Sequence, residues 1–121
     1  MIVSGIVFML GGILVTAISE AAARGRLAVN SIAGIRTRAL MMSEEAWTAG
    51  HRAARIPMAL AGLVMFLTGA AVLAVRPDAG TTGQLVLAAA AAAVVLVLVG
   101  AVVATPAAKR ALITADEAER R

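Results

Sequence analysis

The chain has no cysteine and no tyrosine, and only one tryptophan, one histidine and one lysine among its 121 residues. Without cysteine there is no disulfide framework, thiolate nucleophile or cysteine metal site. A lone histidine outside any HExxH-type spacing leaves a metal to carboxylates alone, so no metal or other cofactor is expected. Charge is also scarce, at 15% of residues against about a quarter in an ordinary soluble domain. The basic residues are split between segments, and aromatics make up 2% of the chain. With no basic–aromatic interleaving, nucleic acid is not an expected partner, despite an isoelectric point near 11.4.

What is present is mostly apolar. Hydrophobic residues make up 61% of the sequence, and the runs 1–19, 56–75 and 79–108 carry no charge. Crossing ~30 Å of hydrocarbon takes about 20 helical residues at ~1.5 Å each, and each run is long enough. The bilayer core offers no water to backbone amides, and the alternation of barrel strands is absent, so helices are the expected spans. The sequence therefore predicts a single-domain, all-α membrane protein. Transmembrane helices fall at about 2–20, 57–75 and 84–104. A polar loop at 21–56 carries a surface helix at about 44–55, and a tail follows at 105–121. No span carries an interior charge, which argues against a pump or coupled transporter.

Charge sets the expected orientation. No basic residue precedes the first span; Arg24, Arg26, Arg36, Arg38, Arg52 and Arg55 follow it. Arg76 alone lies between spans two and three, and Lys109, Arg110, Arg120 and Arg121 come after. The positive-inside rule then predicts an outside N-terminus, a cytoplasmic first loop and a cytoplasmic C-terminus. The start "MIVSGIVFML" has no positive n-region, so the first run reads as a span and not as a cleaved leader. Abundant alanine, with ten arginines to one lysine, fits a bacterial cell membrane.

Gly5, Gly12 and Ser19 recur at seven-residue intervals, as do Gly62 and Gly69. Each set lines one helix stripe that permits close backbone approach, either within the chain or to another copy or partner membrane protein.

The polar chemistry sits in "NSIAGIRTRALMMSEEAWTAGHRAAR", residues 30–55. Asn30 and Gly34 are turn formers. Ser43 is a good N-cap, and Glu44 and Glu45 suit the positive end of a helix dipole. On a helical wheel Ala46, Ala49, Gly50 and Ala53 share one side, Glu44, Thr48, His51 and Arg55 the other, with Trp47 at an edge. That pattern predicts a small-faced helix along the membrane surface, with Trp47 anchored among headgroups and a break near 55–56 from Pro57. Arg36 is placed to pair with Glu44 or Glu45 across the turn, with His51 joining them. A catalytic set of Ser43, Glu44 and His51 is excluded by spacing, since eight helical residues separate Ser43 from His51 by about 12 Å.

Asn30, "GIRTR" at 34–38, "SEEAW" at 43–47 and "GHRAA" at 50–54 together resemble the signature of SdpI-like membrane proteins, which runs N, G-I-R-T, S-x-E-x-W and H-R directly before a transmembrane helix. The match covers about residues 30–73. Arg38 stands where the family commonly has proline, which removes a rigid turn. The resemblance implies a non-enzymatic protein that gives immunity to a peptide toxin or signals through a cytoplasmic regulator. It assigns candidate partner-binding roles to Asn30, Gly34, Arg36, Thr37, Ser43, Glu45, Trp47, His51 and Arg52. Expected partners are the lipid bilayer and a peptide toxin or cytoplasmic regulator. The alternative is an accessory or assembly subunit of a larger membrane complex. Ranked behind both is a membrane-face enzyme using Glu44, Glu45, His51 and Arg36.

Overall fold

A computed structural model describes residues 2–121. Its helices are α1 (Ile2–Ala23), α2 (Glu44–Ala53), α3 (Arg55–Val75) and α4 (Ala79–Glu119). One 3₁₀ turn lies at Leu40–Met42, and there is no strand among the described residues. α1, α3 and α4 are each long and apolar enough to cross a membrane, with mean hydropathy of 2.3, 2.3 and 2.9 over their most apolar stretches. The protein is a multi-pass helical membrane protein.

α3 is central, packing antiparallel to α1 on one side and to α4 on the other. The α1–α3 seam is made of the spaced glycines. A Cβ at Gly12 would collide with the Gly62 carbonyl oxygen and lie 2.8 Å from the Phe66 nitrogen. A Cβ at Gly69 would strike the Gly5 carbonyl oxygen, and one at Gly62 would strike the Thr16 hydroxyl. Close approach replaces hydrophobic drive here, because lipid is as apolar as the side chains it would displace. The small-residue stripes are thus consumed inside one chain. On α4, Gly100 makes room for Met58, whose sulfur would lie 3.1 Å from an added Cβ.

α4 has 41 residues, about 61 Å at 1.5 Å per residue, roughly twice the hydrocarbon thickness. Its start is capped by Asp78, which accepts the Thr81 amide at 2.9 Å and the Thr81 hydroxyl at 2.8 Å. Both bonds favour the carboxylate, the amide most, and hold the Asp78 pKa below its ordinary value. Pro106, well suited to begin a separate tail helix, instead lies inside α4. The proline removes one backbone bond, and burial of Ala104 and Ala108 on either side of it holds the helix together. The α2–α3 break comes one residue before the expected place, at Ala54 (φ −90°, ψ 6°). Pro57 becomes the third residue of α3, where an amide has no intrahelical partner to lose.

The hydrophobic core lies at one end of the helices, outside the mid-membrane stretch. It comprises Ala22, Ile35, Ala39, Leu40, Ala46, Trp47, Ala54, Met58, Ala104 and Ala108. The largest fully buried side chains are Trp47, Leu40 and His51, all from the polar segment. The short helix expected along the membrane surface, α2, packs chiefly against α4 and forms one wall of this core.

Candidate functional site

The polar segment folds into a compact platform. α1 ends in a Schellman motif, with Gly25 at φ +73°, its amide on the Ala22 carbonyl at 3.1 Å and the Arg26 amide on the Ala21 carbonyl at 2.8 Å. A further α1 carbonyl, that of Ala23, accepts Arg52 Nε at 2.9 Å. The guanidinium therefore fastens α2 to the negative end of α1.

The loop then crosses α2. Asn30 Oδ1 accepts the Ile32 and Ala33 amides at 2.9 and 2.7 Å while its Nδ2 donates to the Ala28 carbonyl at 2.9 Å. This tight turn leads to Gly34 at φ +105°. A Cβ there would lie 2.6 Å from Trp47 Cη2 and 3.0 Å from His51 Nε2, so both conformation and space demand glycine. Trp47 Nε1 donates to the Leu27 carbonyl at 2.8 Å. His51 Nε2 accepts the Ile35 amide at 2.9 Å, and Nδ1 lies 2.8 Å from the Trp47 carbonyl. An amide on Nε2 requires the neutral tautomer protonated on Nδ1. Burial pushes the His51 pKa down, opposed by the Trp47 carbonyl, which favours the protonated ring.

Ser43 caps α2 through Oγ, which accepts the Ala46 amide at 3.0 Å. Leu40 fills the space over Gly50, where a Cβ would meet it at 2.6 Å. Thr37 reaches α4: its hydroxyl lies 3.3 Å from that of Thr105, which also donates to the Ala101 carbonyl at 2.8 Å.

Two readings of this segment are corrected. Trp47 and His51 do not face headgroups and solvent; both are buried, at 0% and 1% exposure. The loop folds over that side of α2, so the buried face is Ala46, Trp47, Gly50 and His51, and Ala53 is exposed. Nor does Arg36 pair with an acid: Glu44 instead accepts the Val29 amide at 3.2 Å. Ser43, Glu44 and His51 are each engaged with backbone, and they form no proton-transfer array.

Of the predicted site residues, Asn30, Gly34, Ser43, Trp47, His51 and Arg52 build the platform, and Thr37 ties it to α4. Arg36 and Glu45 remain exposed on its surface. From Ile35 to Ala39 burial alternates: Ile35 and Ala39 face in, Thr37 partly so, and Arg36 and Arg38 face out. Neither of these two guanidiniums has a protein partner among the described residues.

The sequence reading missed Glu20. Its carboxylate accepts Arg24 Nε at 3.0 Å and Arg55 Nη2 and Nε at 2.8 and 3.1 Å. The four-residue spacing to Arg24 was visible in the sequence, whereas Arg55, 35 positions away, meets it only through the α1–α3 packing.

Apolar helices crossing as a set, with a folded polar platform at one end, define an integral membrane protein whose polar chemistry is gathered at the membrane boundary. Residues 26–105, 80 of the 121, match the SdpI/YfhL protein family, and the chain belongs to it. No curated protein and no solved structure matches the chain.

Proposed function

We propose that this SdpI-family protein acts without catalysis, presenting Arg36 and Arg38 on the cytoplasmic platform to a peptide toxin or a cytoplasmic regulator, in immunity or membrane-linked signalling. One observation carries this reading. The motif residues direct their hydrogen bonds inward to fix the loop, and two adjacent outward guanidiniums are left without protein partners. Arginine on a fixed backbone suits a carboxylate or a chain of carbonyls, which it can bind in bidentate fashion. Engagement of both His51 nitrogens by backbone weighs against the enzyme alternative. Pairing of the glycine stripes within the chain weighs against the accessory-subunit alternative.

The test is deletion of the gene followed by challenge with the peptides that the same cells secrete. The wild-type gene should restore resistance; Arg36→Gln with Arg38→Gln should not, although the variant accumulates and melts normally. Unchanged sensitivity on deletion would remove the immunity reading. Full rescue by the double variant would remove the role of the arginines.

A further inference from the structure

On the face of the α1–α3 pair turned away from α4 runs an apolar groove of about 630 Å³. It is lined by Gly12 and Gly62, by the larger Ile13, Leu63 and Phe66, and by Glu20 at the end nearest the platform. The trough lies where small residues, Thr16, Ala17 and Ala59 beside the two glycines, are flanked by larger side chains. From Gly12 to Glu20 it runs about 12 Å along α1 at ~1.5 Å per residue, which accommodates part of one acyl chain.

The Glu20 end is charged. Glu20 is bound by Arg24 and Arg55, so two guanidiniums meet one carboxylate and leave a surplus of one positive charge. The Nη1 and Nη2 groups of Arg24 and the Nη1 of Arg55 make no protein hydrogen bond among the described residues. These free donors stand where the uncharged runs end, at headgroup depth. The complement is an apolar tail joined to a single negative charge with acceptor oxygens. A second copy of the chain would bring the same surplus of positive charge, and a neutral helix would leave the donors unmatched.

We propose that this groove binds one anionic phospholipid, with an acyl chain between α1 and α3 and the phosphate on the free guanidinium groups of Arg24 and Arg55. The lipid would fasten the boundary end of α1 to the start of α3, directly beneath the platform, independently of what Arg36 and Arg38 recognise.

The test uses the full chain in mild detergent, titrated with phosphatidylglycerol or with phosphatidylcholine of the same acyl composition, and bound lipid counted by native mass spectrometry. One phosphatidylglycerol should be retained in preference to phosphatidylcholine. Arg24→Gln with Arg55→Gln should weaken phosphatidylglycerol roughly fivefold per arginine, the worth of one basic side chain at an anionic surface, and leave phosphatidylcholine unchanged. Ala59→Leu, which fills the groove without touching charge, should weaken both lipids, and this arm holds even if the arginine variant is unstable. Equal retention of the two lipids, or no loss with either variant, would overturn the proposal. So would displacement by millimolar glycerol phosphate together with indifference to Ala59→Leu, which would assign the arginines to a soluble phosphate. A lipid-free dimer blocked by Ala59→Leu would assign the groove to a second copy.

Discussion

His51 Nε2 accepts the backbone amide of Ile35 across 2.9 Å, and this buried bond helps join the loop to α2, alongside that of Trp47 to the Leu27 carbonyl. Its acceptor is a lone pair that exists only on the neutral ring. Protonation would set an N–H against an N–H in a buried site.

Stability should therefore depend on pH in a definite direction. Burial holds the folded pKa of His51 below the ordinary histidine value of about 6.5, so acid protonates the unfolded chain first. The contribution is complete above pH about 6.5 and is lost as pH falls through the lowered folded value. Melting in detergent, followed by the fluorescence of the sole tryptophan, Trp47, should show a midpoint that is flat from pH 7 to 8 and declines below 6.5. His51→Gln should flatten that profile; an unchanged acid decline would assign it to other groups.

Gly34→Ala should cost about 2 kcal/mol or more, because φ +105° is strained for any L side chain and the new methyl would overlap the Trp47 ring. A melt of the purified variant measures the loss. Gly25→Ala shares the positive φ but has nothing within 4 Å, so its smaller cost isolates the backbone share.

Trp47→Phe should cost about 1–3 kcal/mol, since the Leu27 carbonyl loses its 2.8 Å donor while much of the ring volume remains. Trp47→Ala should cost about 3–5 kcal/mol through the cavity it leaves. Chemical denaturation, followed by circular dichroism, separates the two. Equal costs would mean that the indole hydrogen bond contributes the larger part.

Gly62→Val should push α1 from α3, because even one added carbon meets the Thr16 hydroxyl and lies 2.7 Å from the Gly12 carbonyl oxygen. A loss of about 1–3 kcal/mol or more is expected. Gly83 has open space around it in α4, so Gly83→Ala should be neutral or stabilise by up to about 1 kcal/mol through helix propensity. Comparable destabilisation by both would refute the seam.

The sequence alone determined the all-helical membrane class, the three apolar helices and the Ser43 cap, because each rests on local rules: run length against bilayer thickness, and side-chain oxygen against a neighbouring amide. It also marked the glycine stripes, the residues of the platform and, through the ordered Asn30, "GIRTR", "SEEAW" and "GHRAA" spacing, the family. Only the tertiary structure decided which face of α2 is buried. On a wheel His51 sits on the polar side and Trp47 at its edge, and nothing within α2 reveals that residues 27–35 will cover them. It also decided that the glycine stripes face each other within one chain, that Glu20 meets Arg55, and that α4 runs on through Pro106. Each of these depends on groups distant in sequence, whose desolvation and contact energies exist only once the helices have packed.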